Sequence, residues 1–194
     1  MSAVLEQTLE KTTMTADEFF DSPYSRGFEL VRGKIVPRGG NFELDMPTGA
    51  LHGVVTEELA SRLSYFVREN KLGRVFAAET GFVLAEGTVR GADVAFVGQE
   101  KIAEFGISEK FFQAAPDLAV ETISPGNSLD EIQDKIEEYL TAGTKLVWIV
   151  YPKQKMIQVH RQSNVINVLR ENDTLDGEDV LPNFRVKLNE IFNY

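Results

Sequence analysis

Asp93 and Glu121 stand where a folded chain rarely tolerates charge. Asp93 opens the apolar run Val94-Ala95-Phe96-Val97, and Glu121 interrupts Leu118-Ala119-Val120-Glu121-Thr122-Ile123. Each reads as a carboxylate on a mostly buried strand. Buried carboxylates are costly unless they are paired, hydrogen-bonded or bound to metal. Two of them on neighbouring strands, with Lys135 on a following helix, suit a divalent ion held by oxygen ligands and a water that it activates. That is the chemistry of metal-dependent phosphodiester hydrolysis.

Spacing decides which carboxylates can meet. Asp93 and Glu121 approach only across strands. In an extended strand residues 117, 119, 121 and 123 share one face, so Glu121 lies opposite Leu118, Val120 and Thr122. Asp117 shares the Glu121 face, but four residues of strand put about 13 Å between them, too far to chelate one ion. Asp93 is the better partner.

Each of these residues also has an ordinary explanation. Asp93 alone suits a turn after Arg90-Gly91, and Glu121 alone suits a solvated charge on an edge strand. Lys135 lies at the margin of its helix's apolar stripe. There it either leans over the strand ends or pairs with Glu131 on the surface at i,i+4 spacing. Glu29, between Phe28 and Leu30, is a third acidic ligand, an orienter of water, or a solvated strand charge. His52 stands near the start of a long helix, placed for phosphate contact, proton transfer or plain capping duty. Trp148 in Leu146-Val147-Trp148-Ile149-Val150 reads as core or interface.

The elements that must position these residues follow from hydrophobic periodicity. Thr15 and Glu18 form a possible capping box for a short helix. Residues 28–31 and 34–36 predict two strands about Arg32-Gly33, followed by a Gly- and Pro-rich loop at 37–49. Leu51, Val54, Val55, Leu59, Leu63 and Phe66 recur at helical spacing, which predicts a helix over about 50–70. Strands are expected near 74–78, 81–85 and 93–97, with turns at Glu86-Gly87 and Arg90-Gly91. Residues 98–116 read as irregular or weakly helical, and 117–123 as a strand. Ser128 and Glu131 suggest a second capping box, for a helix with the stripe Leu129, Ile132, Ile136, Tyr139 and Leu140 and a stop at Gly143. The buried strand 146–150 is reached through that helix and so lies parallel to 117–123. Residues 155–161 and 164–170 continue as a meander. Asp176-Gly177 and Leu181-Pro182 precede a last short helix near 188–192. The fold class is α/β, a mixed sheet with a long helix on one side. Residues 1–14 are expected to be a flexible arm, and 15–194 a single domain.

Bulk properties narrow the functions. The chain has 194 residues, no cysteine, two histidines and a formal net charge of −10. Without cysteine there are no disulfides, thiolate zinc sites or cysteine nucleophiles, which suits a cytoplasmic protein. Two histidines disfavour a multi-histidine zinc site. The acidic balance argues against a general nucleic-acid coat protein. It leaves room for a nuclease, because a cleft can be locally basic and bound metal offsets carboxylate charge. The N-terminus lacks the basic start and apolar stretch of a signal peptide, and no apolar run approaches membrane-spanning length. The phosphate-loop, dinucleotide-binding and nucleophile-elbow signatures are missing.

A set of short motifs stands in order along nearly the whole chain. It begins with Phe28-Glu29-Leu30-Val31-x-Gly33-x-Ile35-Val36 and His52, and continues with Gly91-Ala92-Asp93-Val94. Then come Pro116-Asp117-Leu118-x-Val120-Glu121-x-x-Ser124-Pro125, Lys135-x-x-x-Tyr139-x-x-Ala142-Gly143 and Trp148-x-Val150-x-Pro152. This ordered set resembles the restriction endonuclease-like family abundant in cyanobacteria, within the PD-(D/E)XK nuclease superfamily. The resemblance implies a restriction endonuclease-like mixed sheet flanked by helices and Mg²⁺- or Mn²⁺-dependent hydrolysis of DNA phosphodiesters. It carries the metal ligands onto Asp93 and Glu121, with the Thr122 carbonyl as a further candidate.

Two positions depart from the superfamily pattern. Ala92 replaces the proline before the first aspartate, and Ile123 stands where lysine is expected. In this family the lysine lies on the following helix, which maps to Lys135, as an orienter of water or a neutraliser of phosphate. Glu29 and His52 match positions around the same pocket. The expected catalytic set is therefore Asp93, Glu121, Lys135, Glu29 and His52. The expected partner is nucleic acid, DNA in particular, and the expected assembly is a homodimer, with Trp148 or Phe111-Phe112 at its interface. The alternatives are a non-catalytic interaction or nucleic-acid-binding module on a nuclease scaffold, and a hydrolase of another phosphate ester. Lys135 directed into the pocket favours the enzyme, and Lys135 in bulk solvent favours the module.

Overall fold

The computed structural model describes residues 13–38, 49–163 and 165–194. The expected arm up to residue 12, the loop at 39–48 and residue 164 of the meander lie outside the described residues.

The first helix, α1 (Ala16–Phe20), starts at a reciprocal capping box. Thr15 Oγ1 accepts from the Glu18 amide at 3.2 Å, and the Glu18 carboxylate accepts from the Thr15 amide at 2.9 Å. Its Phe19 is buried with Leu30, Ile35 and Val89. Strand β1 (Phe28–Val31) turns into β2 (Lys34–Pro37) through Arg32 and Gly33, at φ 49° and 76°. Both central residues have positive φ, which matches the right-handed twist of a tight hairpin. The other edge of β1 pairs with β5 (Thr88–Arg90), which in turn pairs with β4 (Phe82–Ala85), giving a four-stranded sheet ordered β2-β1-β5-β4. Residues 86–91 are thus more than two turns. Three residues are too few to show a period, and β5 exists because β1 and β4 lie on either side of it.

The second sheet has six strands, ordered β10-β9-β8-β7-β6-β3. They are β3 (Gly73–Ala77), β6 (Val94–Gly98), β7 (Leu118–Thr122), β8 (Leu146–Tyr151), β9 (Met156–Arg161) and β10 (Ile166–Leu169). Strands β7 and β8 are parallel, joined through the helix Leu129–Thr141, and the other neighbours are antiparallel. Side-chain alternation splits the sheet into two apolar faces. On one face α2 (Ala50–Glu69) packs Val55, Leu59, Leu63 and Val67 against Val94, Phe96, Leu118, Val120 and Trp148. On the other, after α3 (Gln99–Phe105), the helix α4 (Leu129–Thr141) packs Ile132, Ile136 and Tyr139 against Ala95, Val97, Ala119, Val147 and Ile149. The sheet is therefore the expected mixed α/β sheet flanked by helices, with the long α2 on one face and α4 on the other.

The tail holds an unanticipated pair, β11 (Thr174–Asp176) and β12 (Arg185–Lys187), before α5 (Leu188–Ile191). Leu175, Phe184, Val186 and Leu188 close the core on the α2 side. Two expectations are corrected here, the place of Leu129 and the aromatic interface, while Trp148 takes the core role it was read for. Leu129 is 79% exposed and does not join the α4 stripe, because it occupies the first helical position, beyond the sheet. Trp148 is fully buried and stacks on Phe184 at 6.1 Å. Phe112 is buried in the core, and Phe111 packs against Phe19 and Phe20. Trp148 and Phe112 are thus committed to the core, whereas Phe111 stays half-buried.

Candidate active site

Register brings the two carboxylates together. Strands β6 and β7 pair Ala95 with Ala119 and Val94 with Val120. One further step along the antiparallel ladder sets Asp93 opposite Glu121. Glu121 is on the α4 side, bonded to Lys135 and Tyr139, whereas Asp93, just before β6, is bonded to His52 of α2. The chain crosses over between them: the Thr122 amide donates to Asp93 Oδ2 at 2.8 Å.

His52, on the first turn of α2, completes the Asp93 side. Its Nε2 lies 3.3 Å from Asp93 Oδ2, and its Nδ1 lies 3.5 Å from Thr56 Oγ1, one turn further on. Thr56 in turn donates to Thr122 Oγ1 at 2.9 Å. The hydrogen bond to Asp93 raises the His52 pKa against the opposing effect of burial. A doubly protonated ring satisfies this network, donating to Asp93 and to Thr56 while Thr56 donates onward. Burial pulls Asp93 upward, but His52 and the Thr122 amide hold it below the usual carboxylate range.

Helix α4 supplies the Glu121 side. Lys135 Nζ lies 3.3 Å from Glu121 Oε2, and Tyr139 donates its hydroxyl to Glu121 Oε1 at 3.0 Å. The two residues are four apart, so they share a helical face and grip the two carboxylate oxygens from adjacent turns. Lys135 is not a surface partner of Glu131: its side chain is 10% exposed. Burial pushes the Glu121 carboxyl up to about 7, opposed by Lys135 and reinforced by Asp93 and Glu29. Burial disfavours the Lys135 ammonium, but Glu121 and Glu29 outweigh it and hold the amine protonated.

Glu29 sits behind this pair. Its Oε1 lies 3.6 Å from Lys135 Nζ and accepts from the Gly91 amide at 3.1 Å. Its Oε2 accepts from Arg90 Nη1 at 2.7 Å, and Arg90 Nε donates to Glu138 at 2.6 Å. Burial works against ionised Glu29, but Lys135 and Arg90 hold its pKa low. Glu29 and Arg90 face each other in the register that pairs Leu30 with Val89. The four-stranded sheet thereby locks α4, and Lys135 with it, over the strand ends.

Asp93, Glu121, Thr122, Lys135 and His52 line a cavity of about 850 Å³, together with Arg38, Thr56, Glu57, Glu79 and Glu131. Asp117 lies elsewhere: it accepts from the Gly98 amide at 2.8 Å and pairs with Lys101 at 3.1 Å. Among the described residues, no group of three or more carboxylate or imidazole side chains has the arrangement of a metal centre. The oxygen groups on the cavity lining at the strand ends include the Asp93 and Glu121 carboxylates and Thr122. Oxygen donors of this kind suit a hard divalent ion. Glu121, buried beside two other carboxylates and one lysine, is a negative site that such an ion would satisfy.

Four contributors were not legible in the chain. Arg90 read as part of a turn, Tyr139 as core, and Arg38 and Thr56 carried no signal. Only the i,i+4 spacing of Lys135 and Tyr139 hinted at a shared target.

The family model described as "Putative restriction endonuclease" (Uma2) matches residues 17–189. The chain belongs to this family. No match was found among curated proteins. A solved structure described as a "putative nuclease belonging to DUF820 from Anabaena variabilis" is similar in fold. Its TM-score is 0.77 at 21% identity, over 93% of this chain and 98% of that one. In this Uma2 chain the amine of the site arrives from α4. Position 123, two after Glu121, holds a half-buried isoleucine that packs against the core on the α4 side and lines the cavity.

Proposed function

We propose that the protein is a divalent-metal-dependent endonuclease that hydrolyses phosphodiester bonds in DNA. One observation carries this reading: Lys135 Nζ is buried 3.3 Å from Glu121, on a cavity that Asp93 also lines. A surface helix has no reason to bury a lysine among carboxylates, whereas a phosphoryl-transfer site does. Membership of a family described as a restriction endonuclease supports nuclease chemistry, and nucleases of this kind generally use divalent metals.

Asp93, Glu121 and the Thr122 carbonyl would hold Mg²⁺ or Mn²⁺. When bound, the ion supplies Lewis acidity to the scissile phosphate and to the attacking water. The protein residues do the rest. Lys135, kept protonated by Glu121 and Glu29, orients the attacking water; it does not accept a proton. Glu29 aims Lys135 and is not itself a ligand, since Arg90 and the Gly91 amide already occupy it. His52 and Thr56 fix the rotamer of Asp93 and the path of Thr122.

We further propose a homodimer. Strand β10 ends the six-stranded sheet and exposes Val165, Ile166 and Val168 beside its free edge. Such an edge pairs readily with a second copy. A monomer mass by light scattering at high concentration would remove this element. No described helix is long and apolar enough to cross a membrane, and action on DNA without cysteine chemistry suits the cytoplasm.

The test is cleavage of single- and double-stranded DNA and of RNA in Mg²⁺, Mn²⁺ and EDTA. Cleavage of DNA in either metal, lost in EDTA and in Glu121→Gln, is expected. The second reading, a non-catalytic module, draws on the acidic cavity rim of Glu57, Glu79 and Glu131. It replaces the first if no substrate is cut and calorimetry detects no Mn²⁺ binding.

A further inference from the structure

The cavity has an electrostatic problem as a nucleic-acid site. Its described lining includes the carboxylates Glu57, Glu79, Asp93, Glu121 and Glu131 against two permanent cations, Lys135 and Arg38. Lys135 is already spent, at 3.3 Å from Glu121 and 3.6 Å from Glu29. Arg38 differs. Its one side-chain hydrogen bond among the described residues runs from Nη2 to the Gly91 carbonyl at 2.7 Å. Its charge is felt by both Glu121 and Glu29 without a direct ion pair to either.

We infer that Arg38 is the phosphate-binding residue of this cavity, taking the non-bridging oxygens of a nucleic-acid phosphodiester. The inference rests on the nuclease reading above and deepens it. A guanidinium carries five N–H donors in a planar fork that matches phosphate oxygens, and one of the five is used here. The docking on Gly91 sets its position. A Cβ at residue 91 would lie 2.6 Å from Arg38 Nη2 and 3.2 Å from its Cζ, so the glycine makes room for the guanidinium. The same Gly91 donates its amide to Glu29 and stands two residues before Asp93. Arg38 is thereby tied to the backbone that carries the metal-ligand candidates. It offers the one cation on the described lining whose charge is not neutralised in place.

The experiment measures binding of a short labelled single-stranded DNA by fluorescence anisotropy, in Ca²⁺ and over a salt series, with melting temperatures as the folding control. Arg38→Ala is expected to weaken binding about tenfold. The slope of log affinity against log salt should also become shallower by about 0.7, the share of one phosphate contact on a single strand. Arg38→Lys should keep the slope but bind more weakly, since a point charge does not replace the fork. Gly91→Ala keeps every charge and displaces the guanidinium, so it should weaken binding as Arg38→Ala does. If the wild type binds and Arg38→Ala matches it in affinity and slope, the assignment is overturned while the nuclease reading stands. Should Arg38→Ala fail to fold, wild-type binding by both Arg38→Lys and Gly91→Ala overturns it equally. If the wild type itself neither binds nor cuts DNA, both readings fall together.

Discussion

Lys135 reaches Glu121 from a helix and not from the strand: its Nζ lies 3.3 Å from Glu121 Oε2, with both side chains 10% exposed. An amine delivered by α4 depends on how α4 is docked. That docking is set by Arg90, which joins Glu138 on the helix to Glu29 on β1. The site is therefore mechanically coupled to the smaller sheet.

Lys135→Ala should slow single-turnover DNA cleavage by about 100- to 1,000-fold, the usual cost of losing one preorganised electrostatic stabiliser. It should also lower the melting temperature, because Glu29 and Glu121 are left buried without their shared cation. Lys135→Arg should recover little activity, since a planar fork does not fit a slot shaped for an ammonium. Wild-type rates in Lys135→Ala would remove the lysine from the mechanism.

Glu121→Gln should abolish Mn²⁺ binding by calorimetry and DNA cleavage together. It should leave the fold intact without metal, at a cost of about 1–3 kcal/mol. The amide keeps the shape, but only its single oxygen accepts, from Lys135, while its NH₂ faces the Tyr139 hydroxyl, which must turn to accept. Retained Mn²⁺ affinity would show that the ion lies elsewhere.

Arg90→Ala should destabilise the fold by about 3–5 kcal/mol in urea unfolding, the range for breaking a buried ion pair on one side. Glu29 is 3% exposed and would be left facing the vacancy. Arg90→Lys should rescue poorly, because Nε and Nη1 serve two different carboxylates. A loss below about 1 kcal/mol, the scale of an exposed pair, would contradict this account.

Tyr139→Phe keeps the buried ring and deletes the bond to Glu121. We expect about 1 kcal/mol of lost stability and a cleavage defect clearly smaller than that of Lys135→Ala. Comparing both variants by melting and by single-turnover rate separates packing from placement. Equal defects in the two would mean that the hydroxyl does more than steady the carboxylate.

Asp117 should govern part of the acid stability. Burial works against its charge, but the Gly98 amide and Lys101 hold its pKa below the ordinary carboxylate value. A lowered folded-state pKa contributes stability that is present above the unfolded value, about 3.9, and is lost as pH falls through the folded one. The melting-temperature gap between wild type and Asp117→Asn should be widest at neutral pH and close at acid pH. A gap that does not change with pH would rule out the charge as its cause.

Much of this protein is legible in one dimension. Asp93 and Glu121 announce themselves because charge interrupts apolar strands, and burial of charge is costly wherever the chain folds. The helix at 50–69, the parallel β7–β8 pair and the central strands follow from period and connection length, which are local properties. The cross-strand meeting of Asp93 with Glu121 needed one more fact, the β6–β7 register. Lys135 was undecided by its own helix, since i,i+4 spacing to Glu131 made an equally good surface pair. Tertiary packing decided it, by turning that face of α4 toward Glu121 and Glu29. The roles of Arg90, Arg38 and Tyr139 were hidden for the same reason. Their partners lie on elements distant in the chain, and β5, which carries Arg90, is a strand only because β1 and β4 supply its hydrogen bonds. Period and propensity report on neighbours within a few residues, whereas an ion-pair network is specified by which surfaces the whole fold brings into contact.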